Sequence, residues 1–158
     1  MKQLTIIFFA LFITSIAAQD VAFKKFYTLH QDKATFSINL STSLISSFLE
    51  DTKDNDLMNL IKKSSNFKLM IFDNQDNVIL TDFKKFKRKN KLKTLARLKD
   101  NGSKASLFFI KKNKYIRELI IRTNSNNDKL VLLCLKTKIT KNELATMIAS
   151  SDVTFSSK

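Results

Sequence analysis

Thr94 to Lys136 reads TLARLKDNGSKASLFFIKKNKYIRELIIRTNSNNDKLVLLCLK and decides the fold. Its apolar residues recur with a period of two, in four segments separated by polar turns, and this pattern predicts four successive β-strands. The last segment, Lys129 to Lys136, is apolar on both faces. A strand of this kind lies in the middle of a sheet and is covered on both sides. We therefore expect the other elements to extend or cover a sheet built around it.

The turns between these strands have sequences suited to tight reversals. Asp100-Asn101-Gly102 predicts a hairpin, because Asn and Gly tolerate the positive φ angles that such a turn requires. Gly102 is the single glycine of the chain. Lys112 to Lys114 and Asn124 to Asp128 supply the other two turns. The stretch is thus predicted to be a meander.

The sequence outside this stretch adds two strands and five helices. Strict alternation predicts a strand from Thr35 to Leu40, and a second strand is predicted from Lys68 to Phe72. Helical spacing of apolar residues predicts helices around Phe23–Tyr27, Leu44–Leu49, Leu57–Ile61 and Val78–Asn90. The last helix, from about Thr140 to Ser150, begins with a capping box. The predicted fold class is α+β: a mainly antiparallel sheet with a C-terminal meander, and helices packed mostly on one face.

The first 18 residues have the features of a signal peptide. Lys2 gives the positive start, Leu4 to Ile13 forms the apolar region, and small residues lead to a predicted cleavage after Ala18, with Ala17 as the neighbouring option. The apolar run is shorter than the roughly 20 residues that span a bilayer. The rest of the chain has no second apolar stretch of that length. We expect an exported protein, periplasmic or secreted, with no transmembrane segment in the mature chain.

Residues 19–158 are long enough to form one domain with its own core. The only cysteine, Cys134, cannot form an intramolecular disulfide. A reactive thiol is one interpretation of Cys134. The preferred interpretation is a buried apolar residue within the strand from Leu130 to Leu135.

The order of elements resembles a known family. An aromatic helix is followed by a strand and a Leu-rich helix (Phe36 to Leu49), then by a strand with a polar turn (Leu69 to Asn77) and the hairpin at Gly102. The most specific part is Arg117-Glu118-Leu119, followed by the apolar strand and the terminal helix. These features resemble the small exported bacterial proteins of domain of unknown function family 4252. The resemblance implies export and a single α+β domain, and it supplies no activity.

Two departures from the family pattern stand out. The chain is richer in lysine than the resemblance would lead us to expect, and it lacks the lipid-attachment cysteine that some such proteins carry.

Positive charge is concentrated in the second half of the chain. Lys84 to Lys141 contains nineteen Lys or Arg residues against three acidic residues, whereas Asp20 to Phe83 contains seven against nine. Such an asymmetry points to an anionic partner. The densest segment supplies the candidate anion-binding residues: Lys84, Lys85, Lys87, Arg88, Lys89, Lys91 and Lys93.

The alternative is that these lysines are only a solvated surface. Lys, Asn, Ile and Phe are abundant throughout, as AT-rich coding produces. Lys also outnumbers Arg, twenty-four to four, which argues against sequence-specific reading of nucleic acid. The first half of the chain, however, carries no net positive charge, so composition alone does not explain where the charge lies.

Other chemistry is largely excluded. One glycine cannot form a phosphate-binding Gly-rich loop, and one histidine with one cysteine cannot build a Cys/His zinc site. His30 is predicted to lie solvated in a polar turn. Asp73 to Asp76 lacks the glycine and the closing glutamate of a calcium loop and is better interpreted as a turn. We predict no cofactor, no metal site and no catalytic residue.

The sequence therefore predicts an exported, non-enzymatic envelope or secreted binding module that contacts an unknown protein or an anionic envelope partner. The alternative is a structural or protein-interaction domain that uses sheet surface left open by the helices, with an incidental lysine-rich surface. A third class is an enzyme with an unrecognised site, but no residue pattern in the sequence supports it.

Overall fold

The computed structural model describes residues 22–48, 55–73, 75–100, 103–124 and 128–150. Within these ranges the chain forms six strands and five α-helices. Their order is α1 (Ala22–His30), β1 (Phe36–Ser41), α2 (Thr42–Phe48), α3 (Asn55–Lys62), β2 (Ser64–Asp73), α4 (Val78–Lys89), β3 (Lys93–Asp100), β4 (Ser103–Lys112), β5 (Tyr115–Asn124), β6 (Lys129–Thr140) and α5 (Lys141–Ser150). The predicted signal peptide lies outside the described residues.

All six strands belong to one sheet with the order β1-β2-β6-β5-β4-β3. Every neighbouring pair is antiparallel. Strands β3 to β6 form the predicted C-terminal meander, and β6 lies between β2 and β5. The α+β class and the central position of the apolar strand are therefore confirmed.

The turns follow the sequence closely. Asp100 pairs with Ser103, which confirms the hairpin, while Asn101 and Gly102 lie outside the described residues. Asn113, between β4 and β5, has a φ of 56°. Asparagine tolerates this left-handed conformation better than most residues, because its short side chain can hydrogen-bond locally.

The larger part of the core lies between the sheet and helices α1 and α4, on what we call the α1/α4 face. Strand residues Met70, Ile120 and Leu132 are fully buried there. Phe83 and Phe86 of α4 pack against them, in contact with the aromatic residues of α1. Cys134 lies on this face and is 4% exposed, so its predicted burial is confirmed.

The opposite face of the sheet is less fully covered. Leu60 of α3 and Leu144 of α5 pack at one end against Leu135 and Ile139. The helical packing is thus heavier on the α1/α4 face, as predicted, with a smaller second cluster that the sequence did not indicate. Apolar side chains elsewhere on the opposite face, including Ile71 and Leu133, remain half-buried.

Helix α5 begins at the predicted capping box. The Glu143 backbone N–H donates to Thr140 Oγ1 (3.2 Å), and the Thr140 N–H donates to Glu143 Oε2 (2.7 Å). Lys63 also donates a hydrogen bond to Glu143. The hydrogen bonds from Lys63 and Thr140 lower the pKa of Glu143 to about 2. The capping box therefore fixes the start of α5 directly after β6.

Candidate anion-binding cleft

A basic cleft lies between α4 and the strands β3, β4 and β5. Antiparallel pairing sets Arg97 beside Ser106 and Ser106 beside Arg122, so both guanidinium groups belong to one face of the sheet. In the next row, Lys99 pairs with Lys104 on that same face. Because this is the α1/α4 face, α4 lies next to the cationic strand residues.

The cleft has a volume of about 420 Å³. The apolar part of its lining comes from Phe83 and Phe108. Six cationic side chains also line it: Lys84, Lys87, Arg97, Lys99, Lys104 and Arg122. No acidic side chain among the described residues lines it. The cleft is thus a small cavity surrounded by positive charge.

Lys87 reaches from α4 into this cleft. Its Nζ lies 4.7 Å from the centroid of the Phe108 ring and 3.5 Å from Thr94 Oγ1. Desolvation lowers the pKa of Lys87, and repulsion from Arg97 and Arg122 lowers it further. No acidic residue among the described ones lines the cleft beside this ammonium group.

Arg122 is the more deeply placed cation. Its guanidinium carbon lies 5.8 Å from the centroid of the Phe108 ring. Its Nε is buried and has no hydrogen-bond partner among the described residues. Desolvation lowers the pKa of Arg122, and the charge of Arg97 lowers it further. A buried guanidinium N–H without an acceptor is costly, and an anion that supplied the acceptor would remove that cost.

The seven residues predicted from sequence are divided by the structure. Lys84 and Lys87 line the cleft. Lys85 instead forms an ion pair with Asp82 (3.1 Å). Three others, Arg88, Lys89 and Lys91, are exposed where α4 ends and the chain turns towards β3.

Lys93 lies on the other side of the sheet. It pairs with Phe109, which belongs to the opposite face, and it lines an apolar groove of about 700 Å³ beside Leu144. The predicted segment therefore does not form one continuous basic face, and only part of it contributes to the cleft.

The sequence reasoning missed the strand contribution to the cleft. Arg97, Lys99, Lys104 and Arg122 were counted in the net charge but were not assigned to a site. The predicted hairpin at Gly102 could have indicated this cluster, because its register sets Lys99 opposite Lys104 and Arg97 opposite Ser106. Two of the four arginines in the chain thus lie together in the cleft.

His30 differs from its prediction. It ends α1 and is 3% exposed, with its ring centroid 4.4 Å from that of Phe26. Its Nε2 lies 4.0 Å from Asp82 Oδ2. Burial lowers the pKa of His30, although the charge of Asp82 opposes this shift. The solvated-turn prediction is wrong because α1 packs with its C-terminal end against α4.

Comparison with known families gives a match that covers most of the chain. Residues 27–147 match a family described as a domain of unknown function, DUF4252. The chain belongs to this family. The matched part of this DUF4252 protein contains all six strands and every residue of the basic cleft. A comparison with the curated proteins found no match.

Two further findings concern the described part of this DUF4252 protein. No helix there is long and apolar enough to cross a membrane. Within the same ranges, no three His, Cys, Asp or Glu side chains are grouped so that they could hold a metal ion.

Proposed function

We propose that this protein is an exported, non-enzymatic module that binds phosphate groups of an anionic envelope surface through the basic cleft. The observation that carries the proposal is the buried Arg122 Nε, which has no acceptor among the described residues while Lys87 and Arg97 stand close to it. A phosphate oxygen would supply the acceptor. Its charge would also offset the repulsion among the three cations.

The chemistry of the cleft favours phosphate. A guanidinium group presents planar N–H donors that match two phosphate oxygens, and the lysines add point charges around it. Each basic residue near an anionic membrane surface contributes about 1 kcal/mol of binding free energy. Because screening shortens the range of these interactions to about 8 Å at physiological ionic strength, binding should weaken as salt rises.

The choice of an envelope surface as the partner depends on the predicted export. The features of residues 1–18 support delivery outside the cytoplasm, where phosphate-bearing lipids form an anionic surface. The predominance of lysine over arginine in the chain, twenty-four to four, argues against base-specific nucleic-acid binding.

The test compares variants that each lose three positive charges. The cleft variant carries Lys87→Gln, Arg97→Gln and Arg122→Gln. A remote control carries Lys25→Gln, Lys33→Gln and Lys111→Gln, at exposed positions outside the cleft. Binding to phosphatidylglycerol vesicles and to phosphatidylcholine vesicles is measured by co-sedimentation across a salt series.

We expect the wild type to bind only the anionic vesicles and to be released by salt. The cleft variant should lose about 100-fold in affinity, corresponding to three contacts of about 1 kcal/mol each. The remote control should lose less than about threefold, since it removes long-range attraction alone. Equal losses in the two variants would contradict a specific role for the cleft.

A third variant separates the cleft from the segment that the sequence singled out. It carries Lys85→Gln, Arg88→Gln and Lys89→Gln, which lie outside the cleft on the same helix. If this variant loses as much affinity as the cleft variant, the surface at the end of α4 and not the cleft makes the contact.

The alternative, a protein-interaction domain that uses open sheet surface, rests on the half-buried apolar side chains of the opposite face. Nothing in the described part of the chain indicates what would cover them. Retention of all variants on a partner, independent of salt, would favour this alternative over anion binding.

A further inference from the structure

A second cavity, of about 340 Å³, lies at the other end of the α1/α4 face. Residues of α1 and of strands β1, β2, β5 and β6 line it. Its polar lining comes mainly from six residues: Lys24, Asn39, Asn66, Lys68, Glu118 and Lys136. Cross-strand pairing creates the cluster, because Asn39 pairs with Lys68, and both Asn66 and Glu118 pair with Lys136.

Among the described residues, Glu118 is the only acidic one in this lining, and it is 2% exposed. Its carboxylate accepts the backbone N–H of Phe23, which lies 3.1 Å from one oxygen and 3.4 Å from the other, and it also accepts a backbone hydrogen bond from Ala22. These hydrogen bonds tie the first residues of α1 to the sheet. A carboxylate has about four lone-pair sites, so these backbone hydrogen bonds do not use its full acceptor capacity. Burial raises the pKa of Glu118 to about 7, which shows that the hydrogen bonds and nearby lysines do not fully offset its desolvation.

Lys68 is the buried cation of the cavity and is 8% exposed. Its Nζ donates to Asn39 Oδ1 (3.0 Å) and to Asn66 Oδ1, and it lies 5.6 Å from the centroid of the Tyr27 ring. An ammonium group has three N–H donors, so one remains beyond these two bonds. Desolvation lowers the pKa of Lys68.

The two buried charges are not hydrogen-bonded to each other. The bonds of Lys68 go to asparagine side chains, and those of Glu118 go to the α1 backbone. Burying opposite charges without direct pairing is costly, because each loses hydration and gains little mutual attraction. In a ligand with both an anionic group and a hydrogen-bond donor, the anionic group would pair with Lys68 and the donor would pair with Glu118.

We propose that this cavity binds a small organic acid that carries a hydroxyl or amino donor beside its carboxylate. Lys68 and Lys136 hold the carboxylate, and Glu118 accepts the hydrogen bond from the donor. Three lysines against one glutamate give the lining a net positive charge, which selects an anion. The site is separate from the basic cleft and does not depend on the function proposed for it.

Malate and succinate are suitable probes, because both are dicarboxylates and only malate has a hydroxyl group. Each is titrated into the full mature chain, and affinity is followed by amide chemical shifts in NMR spectra. We expect malate to bind about tenfold more tightly than succinate, since a hydrogen bond to a charged group contributes about 1.5 kcal/mol or more. Resonances of β2, β5 and β6 around the cavity should shift.

Three single variants distinguish the roles of the lining residues. Lys136→Gln should weaken both ligands about tenfold, because it removes a charge from the cavity. Lys138→Gln removes the same charge from an exposed position on the same strand outside the cavity, and it should change neither affinity. Glu118→Gln should abolish the preference for malate; the Gln side-chain oxygen can still accept the Phe23 N–H.

The proposal is overturned if the wild type binds neither acid at concentrations up to about 10 mM, which corresponds to a binding free energy of about −2.7 kcal/mol. Equal effects of Lys136→Gln and Lys138→Gln would also overturn it. The variant with Lys87→Gln, Arg97→Gln and Arg122→Gln should bind malate normally. If it does not, the acid occupies the basic cleft and the second cavity is not its site.

Discussion

Glu118 and Arg122 are charged residues on the same face of β5, but their surroundings differ. Glu118 holds backbone N–H groups of α1 and is flanked by lysines, whereas Arg122 faces an aromatic ring and other cations. Four residues of strand separate their Cα atoms by about 13 Å. Each lines a different cavity, so substitutions at the two positions should have separable effects.

The raised pKa of Glu118 makes stability depend on pH in a defined window. Burial raises this pKa from 4.5 to about 7, so between these values the folded protein holds a proton that the unfolded chain releases. The stability gained from protonation is complete below about pH 4.5 and is lost as pH rises through about 7. Between about pH 5 and about pH 8, we expect the free energy of unfolding of the wild type to fall by about 2 kcal/mol relative to Glu118→Gln.

Urea unfolding of the two proteins at a series of pH values measures this difference. The capping residue Glu143 does not interfere, because the pKa of Glu143 is lowered to about 2 and its contribution is lost only on the acid side. Parallel stability curves for wild type and Glu118→Gln would show that Glu118 titrates with its ordinary pKa.

At the scale of elements, β6 has an apolar sequence on both sides but unequal surroundings. Leu132 points to the α1/α4 face and is 0% exposed, whereas its neighbour Leu133 points to the opposite face and is half-buried. Among the described residues, α1 and α4 cover the centre of one face, while α3 and α5 pack at one end of the other, and this accounts for the difference.

Leucine-to-alanine substitutions at these two neighbours test that description. Leu132→Ala should lower the free energy of unfolding by about 3 kcal/mol or more, through lost burial and an internal cavity. Leu133→Ala removes the same atoms and should cost about half as much or less, because the site is already partly hydrated. Urea unfolding of both variants gives the comparison. Equal losses would mean that the opposite face is covered in solution.

At the scale of the whole molecule, charge and the apolar core are arranged along one sheet face. The basic cleft lies at one end, the Glu118 cavity at the other, and the aromatic cluster of α1 and α4 lies between them. Both edge strands have features that disfavour pairing with a strand of another molecule. Strand β3 carries Lys93, Arg97 and Lys99, and β1 is only six residues long. Charged or short edges discourage association through the sheet.

The predicted export would determine which anions the protein can meet. We expect amino-terminal sequencing of the mature protein to begin at Gln19 or at Ala18, because small residues at the end of the apolar segment suit signal peptidase. The protein is expressed with its native first residues and recovered from the extracytoplasmic fraction. Recovery of a chain that begins at Met1, in the cytoplasmic fraction, would contradict export and remove the basis for an envelope partner.

The sequence by itself determined the fold class, the six strands, the hairpin at Gly102, the central position of β6 and the start of α5. These features depend on residue spacing and on turn or cap chemistry within a few neighbouring positions, as in the pair Thr140 and Glu143. The sequence also located the positive charge in the second half of the chain. The tertiary structure decided how that charge is divided among surfaces.

The position of Lys93 shows why the sequence alone did not predict this division of charge. Simple alternation would place Lys93 on the same face as Arg97, but an irregularity in pairing between Thr94 and Ala96 shifts the alternation by one residue. A β-bulge of this kind moves a side chain to the other face. The burial of His30, the basic cleft and the pairing of Lys68 with Asn39 likewise depend on contacts between distant segments. Such contacts are fixed by long-range register and helix packing, which local spacing does not specify.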